Sequence, residues 1–104
     1  MTSEPLHRID KFAVPEASRE EFLRQVHHTH EILGAQPGIL RNDVLTLVGG
    51  DSTFNVVTVV SWESSDALRN AGRAVADDVA RTGFDRDAFL ARLGVTGDFG
   101  TYAA

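Results

Sequence analysis

The stretch FNVVTVVSW, Phe54–Trp62, decides the fold. Its centre is a run of valines interrupted only by a threonine, and β-branched side chains of this kind favour an extended strand. Apolar residues occupy both alternating faces of the run, so neither face is suited to contact with water. The pattern predicts a central strand in a sheet that is covered on both sides.

The segment before this strand predicts a strand followed by a helix. LHRIDKFAV, Leu6–Val14, has the composition of a strand and is followed by a proline. The SREE sequence then predicts a capping box, in which Ser18 and Glu21 satisfy each other's backbone N–H groups at a helix start. The helix is expected to run to about Leu33, with Gly34 as its stop.

A hairpin is predicted next, and two helices and a strand follow it. Ile39–Val48 is a predicted strand, and Gly49–Ser52 offers positive-φ residues for a hairpin turn. Asp85 is a predicted N-cap of a short third helix, which ends at Gly94 before a final glycine-containing strand. Apolar residues at three- and four-residue steps give the second helix one narrow buried face: Leu68, Ala71, Gly72, Val75 and Val79.

The order of these elements predicts one domain over residues 1–104, with an α+β, ferredoxin-like fold and a β-α-β-β-α-β antiparallel sheet. The helices cover one face of such a sheet. The alternate residues Asn55, Val57, Val59 and Ser61 are not convincingly polar. We therefore expect a homodimer in which the uncovered face packs against a second copy.

Charge and composition exclude several classes of protein. The formal net charge is −5 and Lys11 is the only lysine, which argues against nucleic acid and anionic membranes as partners. The absence of cysteine excludes disulfides, thiolate metal sites and cysteine nucleophiles. No apolar run approaches the roughly 20 residues of a membrane helix, so a cytoplasmic location is expected.

Three histidines lie within the stretch RQVHHTHEIL, Arg24–Leu33. On a helical wheel His30 falls inside the apolar stripe, His27 at its edge, and His28 toward solvent. Only His27 and His30 face roughly the same way, and two ligands make a weak metal signal, so no metal is expected. His30 is read either as a core histidine or as a general base lining a cavity.

Strand alternation suggests what would face His30. Asp10 shares a face of the first strand with Phe12, and Thr58 shares a face of the central strand with Val60 and Trp62. If these faces meet the helices, they lie opposite His30. A buried Asp10 would have a raised pKa and could accept a proton, or it could pair with Arg8, Lys11 or a backbone group at the sheet edge. Trp62 is read as a core residue or as a cavity wall.

The segments IDKFAVP, FLRQVHHTHEIL, FNVVTVVSWES and GFDRDAFLARLG resemble the antibiotic biosynthesis monooxygenase family over about Ile9–Tyr102. The resemblance implies the dimeric α/β-barrel form of the ferredoxin-like fold. The family contains cofactor-free, quinone-forming oxygenases and haem-degrading enzymes. The resemblance therefore implies one of these two activities.

The family's functional positions are only partly kept in this chain. The cofactor-free anthrone oxygenases carry an asparagine where this chain has Thr58 and a tyrosine where it has Leu68; the tryptophan is kept as Trp62. The haem-degrading branch carries a first-strand asparagine where this chain has Asp10, and a haem-ligating histidine on the second helix, which here contains none. Haem degradation is therefore the less favoured implication.

These considerations give a set of expected site residues and an expected function. The expected function is cofactor-independent oxidation of an aromatic or polyketide-type phenol or anthrone in secondary metabolism. A cyclase, an isomerase or a binder of pathway intermediates is the alternative. The catalytic candidates are His30, Asp10 and Trp62, and the candidates for binding a small aromatic molecule are Phe12, Thr58, Val60, Leu68 and Tyr102. No cofactor is expected.

Overall fold

The computed structural model describes residues 4–104. A four-stranded sheet is covered on one face by three α-helices. In chain order the elements are β1 (Leu6–Ala13), α1 (Arg19–Gly34, preceded by a 3-10 turn at Glu16–Ser18), β2 (Ile39–Thr46), β3 (Val56–Trp62), α2 (Ser65–Thr82), α3 (Arg86–Leu93) and β4 (Thr96–Tyr102).

The sheet has the strand order β2-β3-β1-β4, and every neighbouring pair is antiparallel. This is the ferredoxin-like α+β fold that the order of elements predicted. β3 lies between β2 and β1, which confirms the central place inferred from its two apolar faces. The sheet of the single chain is open, with β2 and β4 as its edges.

Cross-strand register builds a polar band into the helix-facing side of the sheet. Asp10 is paired with Thr58 on one side and with Phe99 on the other. In the next row, Arg8 is paired with Val60 and Thr101. Asp10, Arg8, Thr58 and Thr101 thus form a polar strip on the helix-facing surface, in which both charges belong to β1 and the apolar Val60 and Phe99 share the same rows.

The apolar residues consequently divide into two core clusters. One contains the fully buried Phe22 and Val56 together with Phe12, and it packs the end of the sheet nearest α3. The other contains Trp62, which is 2% exposed, and Ala71 of α2. The division leaves room above the polar strip for a cavity.

The predicted start and end of α3 are confirmed, and α2 begins with a side-chain cap of the same kind. The Ser64 side chain accepts a hydrogen bond from the backbone N–H of Ala67 at the start of α2. The Asp85 side chain accepts one from the backbone N–H of Ala88 at the start of α3. Gly94 adopts the left-handed conformation (φ 69°) that ends α3. Phe84 packs against Phe89 with ring centroids 5.2 Å apart, as a hydrophobic staple requires.

The predicted capping box at the start of α1 is wrong. No side chain caps this helix; the Ser18 hydroxyl instead donates to the carbonyl oxygen of Leu93, at 2.7 Å. The Glu21 carboxylate pairs with Arg92 of α3. Both side chains thus bind α3, a tertiary contact that a local sequence motif does not reveal.

The predicted hairpin between β2 and β3 is confirmed, since the two strands pair antiparallel and Gly50 has a positive φ of 94°, but its connection is longer than Gly49–Ser52. β2 ends at Thr46, β3 begins at Val56, and a longer connection joins them. Just before β3, the side chain of Asn55 binds the backbone of Val14, the residue that follows β1. Its Oδ1 accepts from Val14 N–H at 2.8 Å and its Nδ2 donates to the Val14 carbonyl oxygen at 2.8 Å.

The face of the sheet away from the helices combines apolar and polar residues. Leu45 and Tyr102 are 44% and 49% exposed, and His7 Nδ1 lies 2.7 Å from the Ser61 hydroxyl. On β2, Arg41 forms an ion pair with Asp43. None of the helices among residues 4–104 is both long and apolar enough to span a bilayer.

Candidate functional site

A cavity of about 510 Å³ lies between the helix-facing side of the sheet and the three α-helices. Its volume falls within the roughly 300–1,000 Å³ of typical small-molecule sites. Strands β1, β3 and β4 form its floor. The narrow face of α2 predicted from the sequence forms part of its wall, since Leu68, Ala71, Gly72, Val75 and Val79 all line it.

Phenylalanine rings line one end of the cavity in a continuous chain of contacts. Phe12 packs edge-on against Phe22 at 5.0 Å and against Phe99 at 5.6 Å, measured between centroids. Phe22 in turn stacks on Phe89 at 6.5 Å. Flat aromatic ligands pack well against such surfaces in offset or edge-to-face geometry. Trp62, the only tryptophan of the chain, lines the same cavity.

The carboxyl group of Asp10 lies on the floor of the cavity. Its side chain is 20% exposed and forms an ion pair with Arg8, with Oδ1 3.1 Å from the guanidinium Nη2. Burial raises the pKa of the Asp10 carboxyl above its ordinary value, although Arg8 and the more distant Arg86 act in the opposite direction. The carboxyl group is therefore easier to protonate than that of an exposed aspartate.

Asn42 of β2 fixes the ring of His30. The Asn42 Nδ2 donates to the backbone carbonyl oxygen of His30 at 2.9 Å, which identifies the other amide atom, Oδ1, as an acceptor. His30 Nδ1 lies 2.5 Å from that Oδ1 and must therefore carry a hydrogen. In the neutral ring the remaining nitrogen, Nε2, is then a free proton acceptor.

The protonation of His30 is also set by its surroundings. Burial lowers the pKa of the imidazole below its ordinary value of 6.5, and it outweighs the hydrogen bond that the ring donates to Asn42 and the attraction of Asp10, which raise it. The ring is therefore neutral near neutral pH. A neutral imidazole and a carboxyl group of raised pKa on opposite walls of one cavity are suited to moving protons on a bound ligand.

Seven of the eight predicted site residues line this one cavity. His30 lies on the helical side, and the other six are Asp10, Phe12, Thr58, Val60, Trp62 and Leu68. Tyr102 is not among them: it pairs with His7 at the end of β4 and lies on the opposite face of the sheet. The catalytic and binding roles of these residues stay predictions.

Several polar residues of the site were missed by the sequence reasoning. Arg8 and Arg86 line the cavity, and Asn42 holds His30. Arg8 carried a usable signal, because strand alternation puts it on the same face as Asp10. His28, predicted to point into solvent, has a side chain that is 45% exposed, but its Nε2 lies 3.0 Å from the buried carboxylate of Asp78 on α2.

The side chains of the site provide few ligands for a metal ion or for haem iron. Within the described residues no three His, Cys, Asp or Glu side chains come together as metal ligands. Helix α2 contains no histidine, and among residues 4–104 His30 is the one imidazole that lines the cavity. Asp10 places a carboxyl group of raised pKa on the floor of the cavity, where the haem-degrading branch has a neutral amide, and a carboxyl group is a poor replacement for that amide beside haem ligands.

Comparison with solved structures shows the same fold. A protein from Shewanella loihica PV-4, provisionally described as a monooxygenase, matches with a TM-score of 0.74 at 18% identity, covering 100% of this chain and 97% of that chain. SnoaB, a cofactor-independent oxygenase from Streptomyces nogalater, matches with a TM-score of 0.65 at 24% identity, covering 98% and 94%.

A haem-degrading protein from Mycobacterium tuberculosis shares the fold as well, with a TM-score of 0.63 at 20% identity, covering 98% of this chain and 92% of that chain. No curated protein sequence matches the chain. The family of antibiotic biosynthesis monooxygenases matches residues 5–74, more than half of the chain. The chain therefore belongs to the antibiotic biosynthesis monooxygenase family.

Proposed function

We propose that this protein is a cofactor-independent monooxygenase that oxidises an electron-rich phenol or anthrone of the aromatic polyketide type. Membership of the family supports an oxygenase. The observation that carries the proposal is the position of His30, whose ring lines an aromatic cavity with Nε2 left as a proton acceptor by the bond to Asn42. This arrangement supplies the base that oxygenation without a cofactor requires.

The proposed reaction converts a ring CH₂ group and O₂ into a ring carbonyl and water. His30 Nε2 removes a proton from the substrate and leaves a carbanion conjugated with the phenol. The carbanion transfers one electron to O₂, and the resulting radical pair combines to a peroxide, which takes the proton back from His30. Loss of the second hydrogen from carbon, with cleavage of the O–O bond, gives the carbonyl and water.

Other residues of the cavity have supporting roles in this proposal. The rings of Trp62 and Phe12 form walls for the flat substrate. The Thr58 hydroxyl, next to Asp10 on the floor, is a donor for the oxyanion that develops when the substrate is deprotonated. Asp10, with its raised pKa, is a second proton carrier that can assist release of water.

Oxygen consumption tests the proposal. The protein, treated with chelator, would be mixed with a panel of anthrones and hydroquinones in an oxygen electrode, with a protein-free control for autoxidation. Replacement of His30 by Gln should lower the rate by about 10²–10⁴-fold, the usual contribution of a general base. The matched control is His27→Gln, an exposed histidine on the same helix, which should keep its activity.

A non-oxidative proton transfer, as in an isomerase or cyclase, is the second candidate. The opposite pKa shifts of His30 and Asp10 favour it, because a base and an acid of this kind can shuttle a proton across a ligand without O₂. The two candidates differ in a simple measurement. An isomerase would exchange substrate hydrogen for deuterium in heavy water under nitrogen, with no oxygen uptake in air.

The homodimer and the cytoplasmic location stay predictions within this proposal. The partly exposed Leu45 and Tyr102 on the free face of the sheet support a dimer. Haem binding is kept as the least favoured alternative for the reasons of ligand chemistry given above. A change in the absorption spectrum of haem on titration with the protein, lost in His30→Gln, would support it.

A further inference from the structure

Two arginines and one aspartate form a charged end of the cavity. Arg8 and Arg86 both line it, and the positive charge of each acts on Asp10. Asp10 offers one carboxyl group to these two cations. The other acidic residue of the cavity wall, Asp78, is occupied elsewhere, because it accepts hydrogen bonds from Arg81 and His28. Outside the cavity wall, Arg86 also pairs with Asp87, whose Oδ1 lies 3.7 Å from the Arg86 Nε. Among the residues that line the cavity, the charged end has two cations and one carboxyl group.

Arg86 is held at this end by an aromatic ring. Its guanidinium carbon lies 4.4 Å from the centroid of Phe99. The ring of Phe99 lies close over Gly97, where an added Cβ would come within 2.7 Å of its Cζ. The stack covers the face of the guanidinium and Nε lies 3.7 Å from Asp87, so the Nη1 and Nη2 donors at its edge are the ones available to a ligand. The Arg86 side chain is 59% exposed, as expected at the mouth of a cavity.

Arg8 completes the charged end from the floor. It donates to both carboxyl oxygens of Asp10, at 3.1 and 3.4 Å, through the same nitrogen, Nη2. Its Nη1 makes only a long contact of 3.5 Å to the hydroxyl of Thr101. A guanidinium has five N–H donors in a planar fork, so Arg8 retains donors for a second anion.

We propose that the ligand of this cavity is an aromatic carboxylate, bound with its rings between the phenylalanine and tryptophan walls and its carboxylate between Arg8 and Arg86. This proposal rests on the proposed function for its aromatic frame and adds the charge of the substrate. A carboxylate matches the guanidinium fork in two parallel hydrogen bonds, whereas a neutral alcohol matches it in one at most. Because Arg86 is already ordered by Phe99, little side-chain entropy is lost on binding.

A pair of ligands that differ only in charge tests the proposal. Naphthoate and naphthalenemethanol share the same ring system, and the fluorescence of Trp62, the only tryptophan, reports on the cavity itself. We expect naphthoate to quench Trp62 with a Kd about tenfold lower than that of naphthalenemethanol, as one charge-assisted contact provides.

Variants of Arg86 test whether this residue causes the difference in Kd between the two ligands. Arg86→Gln should raise the Kd of naphthoate by about tenfold and leave that of naphthalenemethanol unchanged. The control is Arg69→Gln, an exposed arginine on α2 that pairs with Asp66 and does not line the cavity. Circular dichroism would verify that each variant is folded. Arg86→Lys should recover part of the affinity, because it keeps the charge without the fork.

Two results would overturn the proposal. Equal or weaker binding of naphthoate would show that the charged end does not select anions, and absence of quenching by both ligands would show that the cavity takes no such aromatic carboxylate. The test is independent of catalysis. Selective binding of naphthoate together with no oxygen uptake by any carboxylated anthrone would leave the anion site standing and overturn the oxygenase.

Discussion

Asn42 bonds His30 at two points: its Nδ2 donates to the His30 carbonyl oxygen at 2.9 Å, and its Oδ1 accepts from the ring nitrogen Nδ1. The first bond fixes the orientation of the amide, and the second fixes the tautomer of the ring. A residue of an edge strand thus determines which nitrogen of a helical histidine is free to act as a base.

Asn42→Asp tests this relationship. A carboxylate in place of the amide favours the imidazolium form, so the pKa of His30 should rise. In the unaltered protein the acid limb of kcat/KM should lie below pH 6.5, because burial lowers that pKa. The acid limb should shift to higher pH in Asn42→Asp. Asn70→Asp, on the exposed side of α2, should not shift it. An unchanged pH profile in Asn42→Asp would contradict the assignment of His30 as the base.

Asp10→Asn should stabilise the protein at neutral pH. The pKa of Asp10 is higher in the folded state than in the unfolded state. Above pH 3.8 the folded state therefore binds more protons at this group than the unfolded state does. As a result, the folded protein loses stability as the pH rises through the folded pKa. Asparagine, like the protonated acid, avoids that loss. We expect a higher Tm than in the unaltered protein near neutral pH.

The same comparison in acid provides the control for Asp10→Asn. Well below pH 3.8 the aspartate is protonated in both states, so the gain in Tm should vanish. Asp51→Asn, in the exposed connection between β2 and β3, should show no such pH-dependent gain. A lower Tm for Asp10→Asn at neutral pH would mean that the ion pair with Arg8 outweighs the cost of burial.

Phe22→Ala should cost about 3–5 kcal/mol of unfolding free energy, as expected for a large ring removed from a packed core. Phe22 is 1% exposed and contacts the rings of both Phe12 and Phe89. Urea unfolding followed by circular dichroism measures the change. Phe99→Ala is the matched control: Phe99 is 38% exposed, and its loss should cost less than half as much. Equal costs would contradict the placement of the core around Phe22.

Light scattering tests the predicted homodimer. The expected molar mass at micromolar concentration is twice that of one chain. Val59→Arg, in the centre of the free face of the sheet, should give a monomer because a charge would be buried between the two sheets. Ala80→Arg on the exposed side of α2 should remain dimeric. A monomeric mass for the unaltered protein would contradict the sheet-to-sheet association.

Strand periodicity explains how much of the site could be predicted. Alternation along β1 and β3 predicted that Asp10, Thr58 and Trp62 share one face, and the helical wheel predicted that His30 faces them. Both predictions succeed because the backbone geometry fixes the two-residue period of a strand and the roughly 3.6-residue period of a helix. The contact of Asn42 with His30 could not be predicted in the same way. A register irregularity in β2 between Ile39 and Arg41 interrupts the alternation and sets which β2 residues face the helices.

The remaining differences depend on long-range contacts. Tyr102 was expected at the site, but the register of β4 against β1 pairs it with His7 on the opposite face, and register is not encoded in β4 alone. Arg86 was overlooked because an arginine at a helix start is usually a surface residue. Its place over Phe99 follows only from the packing of α3 beside β4.

Isotope-labelled O₂ tests the central claim most directly. Chelator-treated protein would be supplied with dithranol, a dihydroxyanthrone, under labelled O₂, and the quinone would be analysed by mass spectrometry against a protein-free control. The account predicts one labelled atom in the quinone carbonyl, formed at a rate that His30→Gln lowers by about 10²–10⁴-fold and His27→Gln leaves unchanged. A quinone formed equally fast by His30→Gln, or formed without label, would contradict it.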